Sequence, residues 1–193
     1  MPKKADAYHS ILIVSSSEQF DAVVKKSLQG FVTIDVRRSA ALARRCVLEK
    51  YYDLVVVNSP LPDETGEDFA IDAADRSNAS VLLTVPQDVF GDALERVTDH
   101  GILVMPKTAS RGLIDKSIRF LVAVQNRMHE QERKTQAAEE KLEEMRIINK
   151  AKFFLVEQKH MTEDDAHRVI GKQAMDNGIS RGKAAKNILD EMD

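Results

Sequence analysis

The sequence predicts two architectures in series: an α/β domain on a five-stranded parallel sheet, then a long coiled-coil helix leading into an all-α three-helix bundle. Three observations carry this expectation. Short apolar runs alternate with stretches of helical spacing over residues 1–124. Between positions 110 and 159 there is no proline, and the only glycine is Gly112. The remaining tail is punctuated at Thr162, where a helix starts, and at Asn177-Gly178, where that helix stops. The expected divisions are 1–124 for the α/β domain, 125–145 for a linker helix and 146–193 for the bundle.

The strands are expected at ILIV (11–14), LVVV (54–57), SVLLTV (80–85) and ILVM (102–105). A weaker run, VTIDV (32–36), alternates as an edge strand does. Between them, Phe20, Val23, Val24 and Leu28 form a helical stripe that closes at Gly30, and 40–48, 69–74 and 89–97 supply further helices. Strands alternating with helices imply βαβ units and a parallel sheet covered on both faces. In such sheets function gathers in the loops at the carboxyl ends of the strands, which here hold Ser15, Ser16, Asn58, Thr84 and Lys107.

Ser110 or Thr108 is placed to cap the long helix. Its start, LIDKSIRFLVAV (113–124), is apolar enough to pack on the sheet as the last helix of the α/β domain. Leu121, Val124, Met128, Gln131, Thr135, Ala138, Leu142 and Met145 then recur at alternating spacings of three and four. That is a coiled-coil seam, weakened at Gln131 and Thr135, and it predicts a parallel homodimer rather than a solvated single helix. The helix continues through Ile147, Ile148, Ala151, Phe154 and Leu155 as the first of the bundle. Thr162, with Asp165 three residues on, opens the second, which buries Ala166, Val169, Ile170 and Ala174 and stops at Gly178. Ser180 caps the third, which buries Ala184, Ala185, Ile188 and Leu189.

Composition narrows the function. The chain has 193 residues, is 43% hydrophobic and 31% charged, and carries a net charge of −3, so no global basic field is present. Cys46 is the only cysteine, which excludes an internal disulfide and fits a reducing compartment. The apolar runs are too short to span a bilayer, and no apolar stretch of signal-peptide length follows the basic start, so a cytoplasmic protein without membrane contact is expected. No Gly-rich phosphate loop, Ser/His/Asp spacing or Cys/His metal cluster is present, and neither an enzyme, a bound metal nor a cofactor is expected.

The strand-end set resembles that of the receiver domains of two-component response regulators, over about residues 10–124, centred on VVVNSPLPDETG (55–66). The resemblance implies the receiver fold. It also implies five roles: two acids after strand one holding magnesium, an aspartate after strand three accepting phosphate, a Ser/Thr after strand four reading it and a lysine after strand five pairing with it. Thr84 and Lys107 match, whereas Ser15 and Ser16 stand for the acids and Asn58 stands for the aspartate. Magnesium wants anionic oxygen ligands, and an amide oxygen is too weak a nucleophile for phosphoryl transfer. The expectation is therefore a degenerate receiver that is not phosphorylated, kept as a docking and dimerising module that a regulatory protein or ligand would address.

The tail resembles the ANTAR domain, the RNA-binding module of transcription antitermination regulators, through Ala151-Lys152, Ala166, Gln173-Ala174-Met175 and Ala185. Phe153 departs from the family's usual glycine and Gly171 from its common arginine. From 146 to 186 there are nine Lys/Arg against five Asp/Glu, a local excess of positive charge in a negative chain. The resemblance implies an RNA face, for which Lys150, Lys152, Lys172, Gln173, Arg181 and Lys183 are the candidates. The expected function is a dimeric antiterminator gripping tandem hairpins of a leader RNA. Two other readings are a DNA-binding regulator using 175–189 as a helix-turn-helix, and a protein-interaction adaptor.

Overall fold

The computed structural model describes residues 10–28 and 33–190. The expected helix stop at Gly30, the first residue of the VTIDV run and the basic N-terminal segment lie outside the described residues. Contacts divide the chain into two compact units, Met1–His129 and Glu130–Asp193.

The first unit alternates strand and helix: β1 (Ser10–Val14), α1 (Glu18–Ser27), β2 (Thr33–Arg37), α2 (Ala40–Glu49), β3 (Leu54–Asn58), α3 (Glu67–Arg76), β4 (Ser80–Val85), α4 (Phe90–Val97) and β5 (Leu103–Pro106). Helix α5 (Arg111–Lys159) follows. The five strands are all parallel in the order β2-β1-β3-β4-β5. The VTIDV run is thus at an edge, and the order reverses between β1 and β3, where such sheets open a crevice at their carboxyl ends.

The two-residue period of the strands sends alternate side chains to opposite faces. Leu12, Val14, Val55, Val57 and Leu83 pack with Ala43 of α2, Phe69 and Ala70 of α3, and Val97 of α4. Ile11, Ile13, Val56 and Leu82 pack on the other side with Val24 of α1 and with Ile114, Ile118, Leu121 and Val122 of α5. Leu121 is a correction: expected in a coiled-coil seam, it is buried in the first unit's core, while the neighbouring Phe120 is 64% exposed. The reason is helical phase, since Leu121 lies three and seven residues on from Ile118 and Ile114 and so shares their face. The same side of α5 carries Gln125, 1% exposed, whose amide donates to the Asn78 carbonyl, and His129, whose Nε2 lies 3.2 Å from Asp53 Oδ1. Ser110 caps α5 by accepting from the Leu113 amide at 3.2 Å, whereas Thr108 turns instead to Gln87.

In the second unit the end of α5 is joined by α6 (Glu163–Asn177) and α7 (Arg181–Asp190). Ala151 and Leu155 of α5, Ala166, Ile170 and Ala174 of α6, and Ala184, Ala185 and Ile188 of α7 form its core. Small residues dominate, so the helix backbones approach closely. Thr162 Oγ1 accepts from the Asp165 amide at 3.2 Å, Gly178 ends α6 in the left-handed region, and Ser180 Oγ accepts from the Lys183 amide at 3.2 Å. Three residues expected in this core are not fully in it: Val169 is 36% exposed, and Phe154 and Leu189 are half-buried. The Cβ positions at 166, 170 and 174 leave Val169 on the flank of the buried stripe. Among the described residues no helix is long and apolar enough to cross a membrane.

One side-chain contact locks α7 to α5. Glu144 Oε1 accepts from the Gly182 amide at 2.9 Å, a carboxylate at a helix N-terminus, and a Cβ at Gly182 would lie 2.5 Å from Glu144 Cγ. Replacing Glu144 by Ala is expected to cost about 1.5–3 kcal/mol in urea-induced unfolding followed by circular dichroism, with Glu144→Gln losing less. Gly182→Val, which forces the carboxylate away, is expected to lose at least as much.

Candidate functional site

The first candidate site lies where β1, β3 and β4 end. Asn58 closes β3, 5% exposed, and pairs in register with Thr84 of β4. Its Nδ2 donates to Ser15 Oγ at 3.1 Å, and its Oδ1 accepts from Thr84 Oγ1 at 3.1 Å. Ser15 Oγ also accepts from the Ser17 amide at 3.0 Å, and Thr84 Oγ1 reaches the Val57 carbonyl at 3.3 Å. Ser15, Asn58 and Thr84 thus form one buried chain of neutral hydrogen bonds. The site suits an amide because Asn58 meets a donor on one side and an acceptor on the other.

Two of the five expected residues stand apart from this chain. Ser16 is exposed. Lys107 is held only through its backbone, whose amide donates to the Val85 carbonyl at 2.7 Å. Its ammonium has no ion-pair partner among the described residues, and partial burial lowers its pKa from the ordinary lysine value. Sequence reasoning missed Arg38, which donates to the Ser15 carbonyl at 2.7 Å and pairs with the buried Asp21 at 2.6 Å, fixing the β1–α1 loop beside Asn58.

The acids of the following loop are used elsewhere. Both oxygens of Asp63 accept at 2.9 Å from the amides of Ala40 and Ala41, so it caps α2 from outside. Glu64 takes Arg44 at 2.6 Å and the Phe69 amide at 3.2 Å. Among the described residues no group of three or more His, Cys, Asp or Glu side chains is placed to hold a metal ion.

The second candidate site is the outer surface of the three-helix unit. Lys150, Lys172, Arg181 and Lys183 are exposed, and no ion pair holds them among the described residues. Gln173 is half-buried. Lys152 is not free: its ammonium lies 3.2 Å from Glu163, with its side chain 21% exposed, so it links α5 to the start of α6. Lys183 and Lys186 of α7 share one exposed face at a spacing of three, and Arg168 and Lys172 of α6 do so at a spacing of four. Arg168 is paired to Asp165. Phe153 is 64% exposed. Its position two residues from both Ala151 and Leu155 puts it on the opposite side of the helix, a signal the sequence did contain.

Two predictions follow from this geometry. Asn58→Ala leaves Ser15 Oγ and Thr84 Oγ1 with an unfilled partner in a buried site, and is expected to cost about 1–3 kcal/mol in chemical denaturation. Asp63 is held below its ordinary pKa by the Ala41 and Ala40 amides, so its contribution is present above the usual carboxylate range and is lost as pH falls through the folded value. Asp63→Asn is therefore expected to lower the melting temperature at pH 7, and the difference from wild type is expected to close below about pH 3.8 in a pH series of melting curves.

Comparison with known proteins bears on both units. The ANTAR domain model matches residues 136–189. No curated protein matches the chain. Among solved structures, the chain is similar to one described as adenylate cyclase from Rhodopirellula baltica, at 16% identity, 67% of this chain, 98% of that chain and a TM-score of 0.59. It is similar to the signal receiver domain of an HD domain-containing protein from Pseudomonas fluorescens Pf-5, at 18% identity, 67% and 98% coverage and a TM-score of 0.56. A response regulator receiver domain protein from Methanospirillum hungatei JF-1 follows at 14% identity, 63% and 99% coverage and a TM-score of 0.54. At such identities the likeness is one of fold.

Proposed function

We propose that this chain, a receiver fold followed by an ANTAR domain, is a dimeric RNA-binding antiterminator acting in the cytoplasm. Each copy holds one hairpin of a tandem pair in a leader transcript. The observation that carries the reading is the ANTAR match at 136–189, on whose surface Lys150, Lys172, Arg181, Lys183 and Lys186 are exposed. A small bundle offers few phosphate contacts, and two bundles joined in a dimer gain affinity through effective concentration. The exposed part of the α5 seam, Met128, Leu142 and Met145, supports pairing of two copies through that helix.

The receiver unit serves as an unphosphorylated scaffold in this reading. Asn58 has its amide engaged on both sides, Asp63 and Glu64 are committed to α2 and Arg44, and Lys107 has no ion-pair partner among the described residues. Control then comes from a protein or ligand that binds the unit, or from the dimer equilibrium itself.

A competition gel shift separates the possibilities. The full chain is expected to prefer RNA carrying two hairpins over duplex DNA of equal length. A preference for the duplex would move the function to DNA, and no binding of either at 50 mM salt would leave an adaptor. Lys172→Ala and Arg181→Ala are each expected to weaken RNA binding and to reduce the slope of log K against log salt by about 0.7 per copy, about 1.4 for the dimer. Acetyl phosphate labelled at phosphorus is expected to leave the chain unlabelled, and label that disappears in Asn58→Ala would overturn the scaffold reading.

A further inference from the structure

The second unit holds two phenylalanines, Phe153 and Phe154, side by side in the sequence of α5. Phe154 is half-buried, whereas Phe153 is 64% exposed on the side of the helix opposite the buried Ala151 and Leu155. Arg146, Lys150, Phe153 and Glu157 follow one another at steps of four, three and four. One exposed face thus carries two cations, a ring and a single acid. Asn149, also exposed, lies one turn before the ring. Lys150 has no ion-pair partner among the described residues, and Arg146 reaches Glu143 only at 3.5 Å, with both side chains largely exposed. A lone exposed phenylalanine is ordinary. A ring set among cations at helical spacing is the combination that binds single-stranded nucleic acid.

We propose that Phe153 is a stacking platform for an unpaired base of the RNA hairpin loop, with Lys150 and Arg146 on the phosphates beside that base and the Asn149 amide at its edge. This rests on the RNA-binding reading above and adds to it which part of the RNA α5 meets. Three features favour a base as the occupant. First, the ring offers an apolar face without hydrogen-bonding groups, which suits the face of a base, and the cations suit the phosphates that carry it. A base inside a duplex has both faces covered by its neighbours, so only a nucleotide out of the stack can lie on the ring.

Second, an apolar protein surface laid on Phe153 would take Arg146 and Lys150 out of water with it, whereas a polyanion neutralises them. Third, register sets Phe153 apart from a second copy of the chain. The seam through Leu142 and Met145 continues, at its alternating steps of four and three, to Asn149 and Lys152. Lys152 is already held 3.2 Å from Glu163, so the apolar seam ends at Met145 and leaves Phe153 outside it.

Titration of the full chain with a single RNA hairpin tests this, against the same stem closed by abasic loop nucleotides, which keep the phosphates and lack the bases. Phe153→Ala is expected to weaken binding of the intact hairpin by about five- to a hundredfold and to bind the abasic hairpin as wild type does. Stacking releases no counterions, so the slope of log K against log salt is expected to be unchanged in Phe153→Ala and to fall by about 0.7 per bound hairpin in Lys150→Ala. The chain has no tryptophan, so Phe153→Trp places a single reporter at the site. It is expected to bind as wild type does, with emission quenched by the intact hairpin and not by the abasic one. Circular dichroism melting and sedimentation of the variants are expected to match wild type, because the ring is exposed. Equal affinity of Phe153→Ala and wild type for the intact hairpin overturns the stacking role and leaves RNA binding standing. So does a loss shared equally by both hairpins, or tryptophan emission that neither hairpin changes. Dissociation of a dimer by Phe153→Ala without loss of loop discrimination gives the ring to a second copy and also overturns it. A wild type that binds neither hairpin overturns the RNA reading and this inference together.

Discussion

One helix has to close two hydrophobic cores. Ile114, Ile118, Leu121 and Val122 of α5 cover one face of the parallel sheet, and Ala151 and Leu155 of the same helix are the floor of the three-helix unit. Without the first set, β1 and β3 would expose the face formed by Ile11, Ile13 and Val56. Without the second, α6 and α7 would hold only each other, with a core of four alanines and two isoleucines too small to offset the entropy of ordering them. The burial of both sets is the constraint on which each unit depends. It fixes the rotational phase of α5, and so dictates which of its residues remain outside.

The strand-end site is held together without charge. A cluster of carboxylates at this place would repel itself unless a cation relieved it. Ser15, Asn58 and Thr84 instead close a neutral chain of three side chains, buried and mutually satisfied. Such a network holds the ends of β1, β3 and β4 together at any pH where proteins fold. The nearby acids, Asp63 and Glu64, are structural, capping one helix and clamping Arg44. The exposed basic residues Lys172, Lys183 and Lys186 lie in the other unit, on helices whose inner faces are alanine and isoleucine.

Much of this was legible in the residues. Apolar runs and helical stripes located the five strands and seven α-helices of the described residues. The punctuation at Ser110, Thr162, Gly178 and Ser180 matched the observed caps, because capping is decided by one side chain and the amides next to it. The likeness of the tail to an ANTAR domain was also readable, since small residues at close-packed helix contacts leave a spaced signature. Less readable was the fate of individual side chains. Leu121 fits both a coiled-coil seam and a sheet-facing stripe, and spacing alone does not choose between them. Lys152 looks like a phosphate contact until Glu163 is found beside it.

The sequence by itself determined the order and type of the elements, the neutrality of the strand-end site and the local excess of basic residues in the tail. These are properties of composition, periodicity and short-range capping, which act over a few residues. Only the tertiary structure decided that Asn58 is bonded on both sides, that Arg38 pins the loop beside it, and that Asp63 caps a helix more than twenty residues away. It also separated the two faces of α5, putting Leu121 in a core and leaving Phe120 and Phe153 outside. Those outcomes depend on which surfaces meet when distant segments pack, and a burial that spans the chain has no signature at any one position in it.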